Sequence, residues 1–462
     1  MSADGRVVTG ANGAVSAGGR VVSGADGAVG GGGGRRVDRR RVLLVAGLAT
    51  AIGVLIAVLP GHRGWFDVGV YHGAVGYWVR GGDLYEWMTW NGYGFTYPPF
   101  AAVIMMPMAA LAWYPTIVLH LLLTAVATAF LLMLLVNPLV RRAGWSRWYA
   151  LALAACLLAG LNPVRDTVSF GQVNLLLVAL VYLDLWLLER GHRAAGIGIG
   201  LAAAIKLTPA IFIGYLLVTR RWRAAATATG TSAAATVLAA AVAPGASRTF
   251  FTEALWDTER IGKLAYVSNQ SLLGLVARLD RDHPDRRLWL VLVVATLAVW
   301  FVRSRRAARA GNERAGFALT GIAACLVSPI TWVHHLVWLV PGLVLVAAST
   351  LPWPPGDPVA RRRLRAGVAG YVVLASGLVW VFANDPGTVV GFVGGNSYLF
   401  VSIALLAFLP IGATRTAPAS PPGSSSGPLE PIPAPRVSVP AGPSGGVPAG
   451  SAPGLSGGVA VG

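Results

Sequence analysis

The stretch from Arg39 to Leu59, RRRVLLVAGLATAIGVLIAVL, decides the fold. Three arginines precede eighteen consecutive residues without a charge. A helix rises about 1.5 Å per residue, so this run nearly fills a hydrocarbon core of roughly 30 Å. Arginines beside an apolar run read as its cytoplasmic end. The pattern recurs at Arg141-Arg142, Arg220-Arg221, Arg305-Arg306 and Arg361-Arg362-Arg363, each in a short loop between apolar runs.

Composition agrees. Apolar residues make up 55% of 462 positions, charged residues 12%, and mean hydropathy is +0.63. A soluble domain carries about 25% charged residues, so this chain could not cover a water-facing surface. The net charge of +18 reports topology, because the arginines sit in loops; nucleic acid is not an expected partner. Cys156 and Cys325 lie in apolar runs and read as buried thiols, with no disulfide framework or zinc site implied.

Residues 1–41 form a Gly/Arg-rich tail with a near-repeat, GRVVTGANGAV from Gly5 and GRVVSGADGAV from Gly19. Two copies cannot stack as a solenoid, and Gly-rich sequence does not offset its ordering entropy. No cleavable signal peptide is expected, since the first apolar run begins after Arg41. Residues 414–462 form a Pro/Ser/Gly-rich tail. Both tails are expected to be disordered and cytoplasmic. The domain between them, 42–413, is expected to be all-α and polytopic.

Spans are expected near 42–60, 115–136, 148–161, 171–188, 223–243, 287–303, 315–333, 334–350, 367–384 and 397–413. Two stretches fit no simple span. Residues 98–112 run from Pro98-Pro99 to Trp113-Tyr114-Pro115. Residues 194–218 lie between two arginine loops and carry Lys206-Leu207-Thr208-Pro209 at their middle, which predicts two half-helices meeting at Lys206. The total is ten to twelve membrane segments, with loops 61–95 and 244–286 facing outward. Eleven of the 19 acids fall in outward segments, which marks that face as polar.

Asp67 leads the candidates for chemistry, because a half-desolvated carboxylate just past the first span can act as a general base. Its plain structural role is N-cap of a helix over 68–79. Lys206, an intramembrane ammonium beside the backbone donors freed by Thr-Pro, suits a phosphate; otherwise it snorkels to headgroups. His334 and His335 are adjacent, and side chains about 100° apart on a helix do not chelate one metal. One is expected to meet a phosphate or sugar hydroxyl and the other to pack. Arg165, outside against the positive-inside bias, points to an anion unless it pairs with Asp166. Gln172 and Asn174 are expected to line the same cavity. Asn269 and Gln270 offer sugar-type donors and acceptors, or simple turn chemistry. No nucleotide-phosphate motif, Gly-x-Ser-x-Gly or His-Glu-x-x-His occurs.

The order Phe66-Asp67-x-x-Val70-Tyr71, Tyr97-Pro98-Pro99-Phe100, Gly171-Gln172-x-Asn174, Lys206-x-x-Pro209, Asn269-Gln270-Ser271 and Ser328-Pro329-x-x-Trp332-x-His334-His335 resembles glycosyltransferase family 87. Within it, the chain resembles the actinobacterial polyprenyl-phosphate-mannose-dependent alpha-1,2-mannosyltransferases. The likeness spans about 42–413. It implies a GT-C fold in a bacterial plasma membrane, with an outward-facing site. The boundary acid of such folds maps onto Asp67, and Tyr71 and Tyr97 join the substrate cavity. Position 69 is Gly, so the Asp-x-Asp pair of many GT-C enzymes is absent. Metal- and cofactor-independent inverting transfer is therefore expected. The implied partners are a polyprenyl-phosphate-sugar donor, mannose being the expected sugar, and a glycolipid or lipoglycan acceptor. The donor phosphate is expected near Lys206, Arg165, His334 and His335. Two other readings remain open on sequence: a lipid-linked sugar flippase, and the same enzyme type using arabinofuranose.

Overall fold

A computed structural model describes residues 38–58, 62–257, 260, 262–351, 355–383 and 387–412. Most of both expected tails lies outside the described residues. One isolated bridge joins Met88 to Gly94, and no strand forms among the described residues. The protein is an all-α polytopic membrane protein.

The opening apolar run is α1 (Arg39–Val58), of which only Ile52 is buried by protein. A helix this apolar and this exposed is one that lipid covers. Next come α2 (Phe66–Val79) and α3 (Pro99–Met105), the latter running into a 3-10 turn at Met106–Ala110. The long helix α4 (Trp113–Ala143) ends on Arg141 and Arg142 and is followed by Gly144 at φ 62°. There follow α5 (Arg147–Gly160), α6 (Asn162–Phe170), α7 (Asn174–Glu189), α8 (Ile197–Ile205), α9 (Ile211–Val218), α10 (Trp222–Val242) and α11 (Pro244–Thr249). The second half comprises α12 (Leu272–Leu279), α13 (Arg286–Arg309), α14 (Glu313–Val327), α15 (Val340–Ala348), α16 (Pro358–Ser376), α17 (Leu378–Val381), α18 (Val389–Gly395) and α19 (Ser397–Phe408).

Among the described residues, α1, α4, α10 and α13 are each long and apolar enough to cross a membrane. There are six such spans if α5–α6, bent by 75°, and α18–α19, bent by 59°, each count as one. The remaining expected spans appear as shorter or broken helices. The 334–350 stretch starts as a 3-10 turn (Val333–Leu339) before α15. Residues 162–170, expected as a loop, form α6 instead. Pro163 takes an early helical position there, where its missing N–H costs nothing. The break at Lys206 is present: its φ/ψ of −148°/130° ends α8, and Thr208-Pro209 open a 3-10 turn that leads into α9.

Lipid gives helices no hydrophobic reason to associate, so close packing of small residues carries the contact. The α8–α10 pair shows this. Gly196 and Gly200, four apart, face the backbone of α10 around Ala224 and Ala228, and a Cβ on Gly200 would lie 2.5 Å from the Ala228 carbonyl oxygen. Gly196 also needs its φ of 113°. From the other side, buried Asp184 on α7 accepts from the Ile199 N–H at 2.6 Å, near the start of α8. Thus α8, and the Lys206 at its end, is clamped between two helices. At the arginine-rich end, Glu313 accepts from Tyr215 at 2.6 Å and pairs with Arg221, while Arg314 pairs with Glu189 at 2.8 Å.

Candidate active site

The first turn of α2 is docked on α6. The Trp65 N–H donates to the Ser169 carbonyl at 2.9 Å, and Val68 packs so closely on Gly171 that a Cβ there would overlap it. Asp67 lies inside this first turn. The N-cap is Trp65, in a left-handed conformation with no side-chain cap bond, so the capping role open to Asp67 on sequence is not the one it plays. Its Oδ2 is buried with no hydrogen-bond partner among the described residues. Burial pushes its pKa up from 3.8 to about 6, against the opposing pull of a hydrogen bond with Gln172 and of the Lys206 ammonium. Such a carboxyl is largely ionised at neutral pH yet retains real affinity for a proton.

Tyr71 follows one turn along the same face of α2. Its hydroxyl lies 2.9 Å from that of Tyr97, which lies 2.9 Å from Gln172 Oε1 and 3.3 Å from Lys206 Nζ. A phenol has one proton to give. Tyr97 gives its proton to Gln172 and therefore accepts from Tyr71 and Lys206. Burial raises the pKa of both phenols, so both stay protonated.

Lys206 reaches three groups: Tyr97, Asn174 Oδ1 at 3.1 Å and His335 Nε2 at 3.0 Å. All are neutral, and no carboxylate forms an ion pair with it among the described residues. Asn174 is fixed in orientation because its Nδ2 donates to the His334 carbonyl at 3.1 Å. His335 Nδ1 accepts from the Trp332 N–H at 3.1 Å. A neutral imidazole has one acceptor nitrogen, so Nε2 carries the proton and faces Lys206 as a second donor. Two donors thus meet at 3.0 Å. An anion's oxygens placed between them would turn that opposition into two hydrogen bonds.

Of the residues expected from sequence, the structure joins Asp67, Tyr71, Tyr97, Gln172, Asn174, Lys206 and His335 into one connected site. His334 stands at its edge, its ring 5.2 Å from Phe170 and 4.7 Å from His335, with Nε2 buried and unpartnered among the described residues. Three residues fall elsewhere. Arg165 donates to the Gly160 and Ala375 carbonyls at 3.0 and 2.9 Å, tying α5 to α16, and forms no salt bridge with Asp166 among the described residues. Asn269 bonds the Leu264 and Pro329 carbonyls and the Thr331 N–H. Gln270 bonds the Val267 and Gly395 carbonyls and the Leu399 N–H. These three side chains hold backbone segments together; for Asn269 and Gln270 that is the turn-chemistry alternative, whereas Arg165 neither pairs with Asp166 nor joins the site.

Arg63 was missed. It stacks over Phe170 and Trp380 at 5.5 and 4.9 Å, and its Nε is buried without a partner among the described residues. An arginine in a stretch expected to face outward, against the positive-inside bias, is the signal that singles out Arg165, and it applies equally to Arg63.

Beside Lys206, Asn174 and His335 lies a cavity of about 10 Å³. That is room for one water; a sugar phosphate enters only if the surrounding helices move.

The profile of glycosyltransferase family 87 matches residues 95–329. The match takes in Tyr97, Gln172, Asn174 and Lys206, begins after Asp67 and Tyr71, and stops just short of the histidine pair. The chain is 32% identical over 425 residues to a polyprenol-phosphate-mannose-dependent alpha-(1-2)-phosphatidylinositol mannoside mannosyltransferase of Mycobacterium tuberculosis, covering 87% of this chain and 96% of that one. It is 34% identical over 305 residues to the protein of the same description from Mycolicibacterium smegmatis, covering 61% and 69%. A pentamannoside mannosyltransferase of Mycobacterium tuberculosis is 28% identical over 75% of this chain and 80% of its own. No solved structure matches.

Proposed function

The chain belongs to glycosyltransferase family 87 and is a membrane glycosyltransferase, and we propose that it moves mannose from a polyprenyl-phosphate carrier to a phosphatidylinositol-mannoside type glycolipid on the outer membrane face. The observation that carries this reading is the site itself. The Asp67 carboxylate, one oxygen of which has no partner among the described residues, is linked through Gln172 and Tyr97 to a lysine and a histidine that present donors to the same small cavity.

In the proposed reaction the polyprenyl phosphate lies against Lys206 and His335, with His334 beside them. The acceptor hydroxyl gives its proton to Asp67 while its oxygen attacks the anomeric carbon. The bond from that carbon to the phosphate oxygen breaks, and its electron pair stays on the polyprenyl phosphate. Negative charge grows there as the bond lengthens, so donors fixed at that point favour the transition state over the bound donor. Displacement from the opposite face inverts the configuration. Because the donor carries its own leaving group, no nucleotide site is needed. The metal-free reading rests on Gly69, where a second acid would be required for a metal-bridging pair.

The arrangement of α1 supports the proposed outward placement. Arg39–Arg41 open a helix of 20 residues, about 30 Å long, and Asp67 follows it in sequence nine residues after Val58. The decisive experiment incubates membranes with labelled polyprenyl-phosphate-mannose and determines the product linkage, for the wild type and for Asp67→Asn. An alpha-1,2-linked mannolipid from the wild type alone supports the reading. Transport of labelled lipid with no new glycosidic bond overturns it in favour of a flippase.

A further inference from the structure

A second cavity, of about 160 Å³, shares no lining residue with the one beside Lys206. Lys263, Tyr266, Arg278 and Arg281 line it from the outer loop and α12, and Phe382 and Phe392 from the α17–α18 side. Arg278 is only 9% exposed. Its Nε and Nη2 both donate to Asn396 Oδ1, at 3.1 and 2.6 Å. Nη1 donates to the Tyr266 carbonyl at 3.0 Å, and Nη2 also to the Asn269 carbonyl at 2.9 Å. Every partner is neutral. A guanidinium has five N–H donors, so one Nη1 hydrogen is uncommitted and a full positive charge is buried without an acid. Lys263 and Arg281, exposed on the same cavity, form no salt bridge among the described residues. The Asp280 carboxylate next in sequence is occupied with the N–H groups of Asp282 and His283.

Three cations around one small cavity repel one another, and an anion held among them removes that penalty. The surroundings say what kind of anion. Tyr266, Phe382 and Phe392 give the cavity aromatic walls, and beside it α18 exposes Val389, Val390 and Val393, 81%, 66% and 50% exposed. Those valines belong to the bent apolar pair α18–α19, so lipid lies against them. A charged group that sits at a lipid boundary between cations and aromatic rings is the phosphodiester at the head of a membrane lipid. Two contacts connect the cavity with the reaction site: Tyr266 packs edge-on to Trp332 at 6.1 Å, and the Trp332 N–H holds His335.

We propose that this cavity is the acceptor-anchoring site, which binds the phosphodiester of the lipid acceptor through Lys263, Arg278 and Arg281 while the acceptor's sugar extends toward Asp67. The acceptor role rests on the transferase reading above; the anion site does not.

The test uses the full-length chain and a Lys263→Ala/Arg281→Ala variant, which removes two exposed groups that make no ion pair among the described residues. Native mass spectrometry measures retention of dioleoyl phosphatidylinositol, with diacylglycerol as the phosphate-free control and inorganic phosphate as competitor. Wild type should retain phosphatidylinositol over diacylglycerol, and the variant should bind it about tenfold more weakly, as expected for losing charge-assisted contacts. In turnover, the variant should raise KM for a phosphatidylinositol mannoside about tenfold, leaving kcat, donor KM and KM for an alkyl mannoside unchanged. Equal retention of phosphatidylinositol by both proteins overturns the site. Displacement by millimolar inorganic phosphate overturns the lipid assignment in favour of free phosphate. Loss of lipid retention in the variant supports the site even if wild type transfers no mannose, a result that would sink only the transferase reading.

Discussion

Replacing Asp67 with Asn should abolish transfer while making the protein more stable, and the two effects share one cause. Burial raises the Asp67 pKa from 3.8 to about 6. That shift of about two units corresponds to a cost of about 3 kcal/mol for carrying the charge in the folded protein, at 1.36 kcal/mol per unit. The sign follows from linkage. Between pH 3.8 and 6 the folded protein holds this proton more tightly than the unfolded chain, so stability falls as pH rises through that window and stays reduced above it. Asn keeps the shape without the charge. At pH 7.5 the unfolding midpoint of Asp67→Asn in detergent should therefore exceed that of the wild type, and the gap should close as the pH approaches 4. Transfer should drop on the order of 10²- to 10⁴-fold, the usual worth of a general base. In the wild type, the same pKa leaves about 90% of Asp67 ionised at pH 7 and about 9% at pH 5, so kcat/KM should fall roughly tenfold between them. An ordinary exposed aspartate would leave that range flat. The reasoning is refuted if Asp67→Asn is less stable than the wild type at pH 7.5, or if it turns over at near wild-type rate.

Lys206→Ala should raise the apparent KM for polyprenyl-phosphate-mannose by tenfold or more and leave the acceptor KM nearly unchanged, since the lysine is assigned to the donor phosphate; steady-state kinetics with each substrate varied in turn would decide it. Gly200→Leu should destabilise the fold by about 1–3 kcal/mol, because the larger side chain must push α10 away at the Ala228 carbonyl. A thermal melt of the purified protein reads this, and an unchanged midpoint would mean that the two helices are not clamped. Incubation with a divalent-metal chelator should leave turnover intact; loss of activity restored by added divalent ion would overturn the metal-free reading.

The sequence was most informative where a residue's cost is local. Lys206 stood out because an ammonium in an apolar run is expensive wherever it points, and Thr208-Pro209 broke the helix as the missing N–H requires. Asp67 stood out because the membrane boundary lies beside it. Arg165, Asn269 and Gln270 looked equally functional as residue types. Their partners, the carbonyls of Gly160 and Ala375 for Arg165 and of Pro329 and Gly395 for the two amides, lie up to 210 residues away in the chain, and no spacing rule reaches that far. The partner of Arg63 is equally distant, since its stacking on Trp380 exists only after the chain has returned.

Charge poverty, arginine-marked loops and the length of the apolar runs determined by themselves that this chain lives in a membrane. Those are properties of single segments in lipid, where backbone bonds must close within each helix. Only the tertiary structure decided which polar residues meet. Lys206 and His335 are 129 positions apart, and Lys206 and Tyr97 are 109 apart. It was also packing that left one carboxyl oxygen of Asp67 without a partner and gathered Lys263, Arg278 and Arg281 around a separate cavity, because contacts between distant segments are set by how helices fit together.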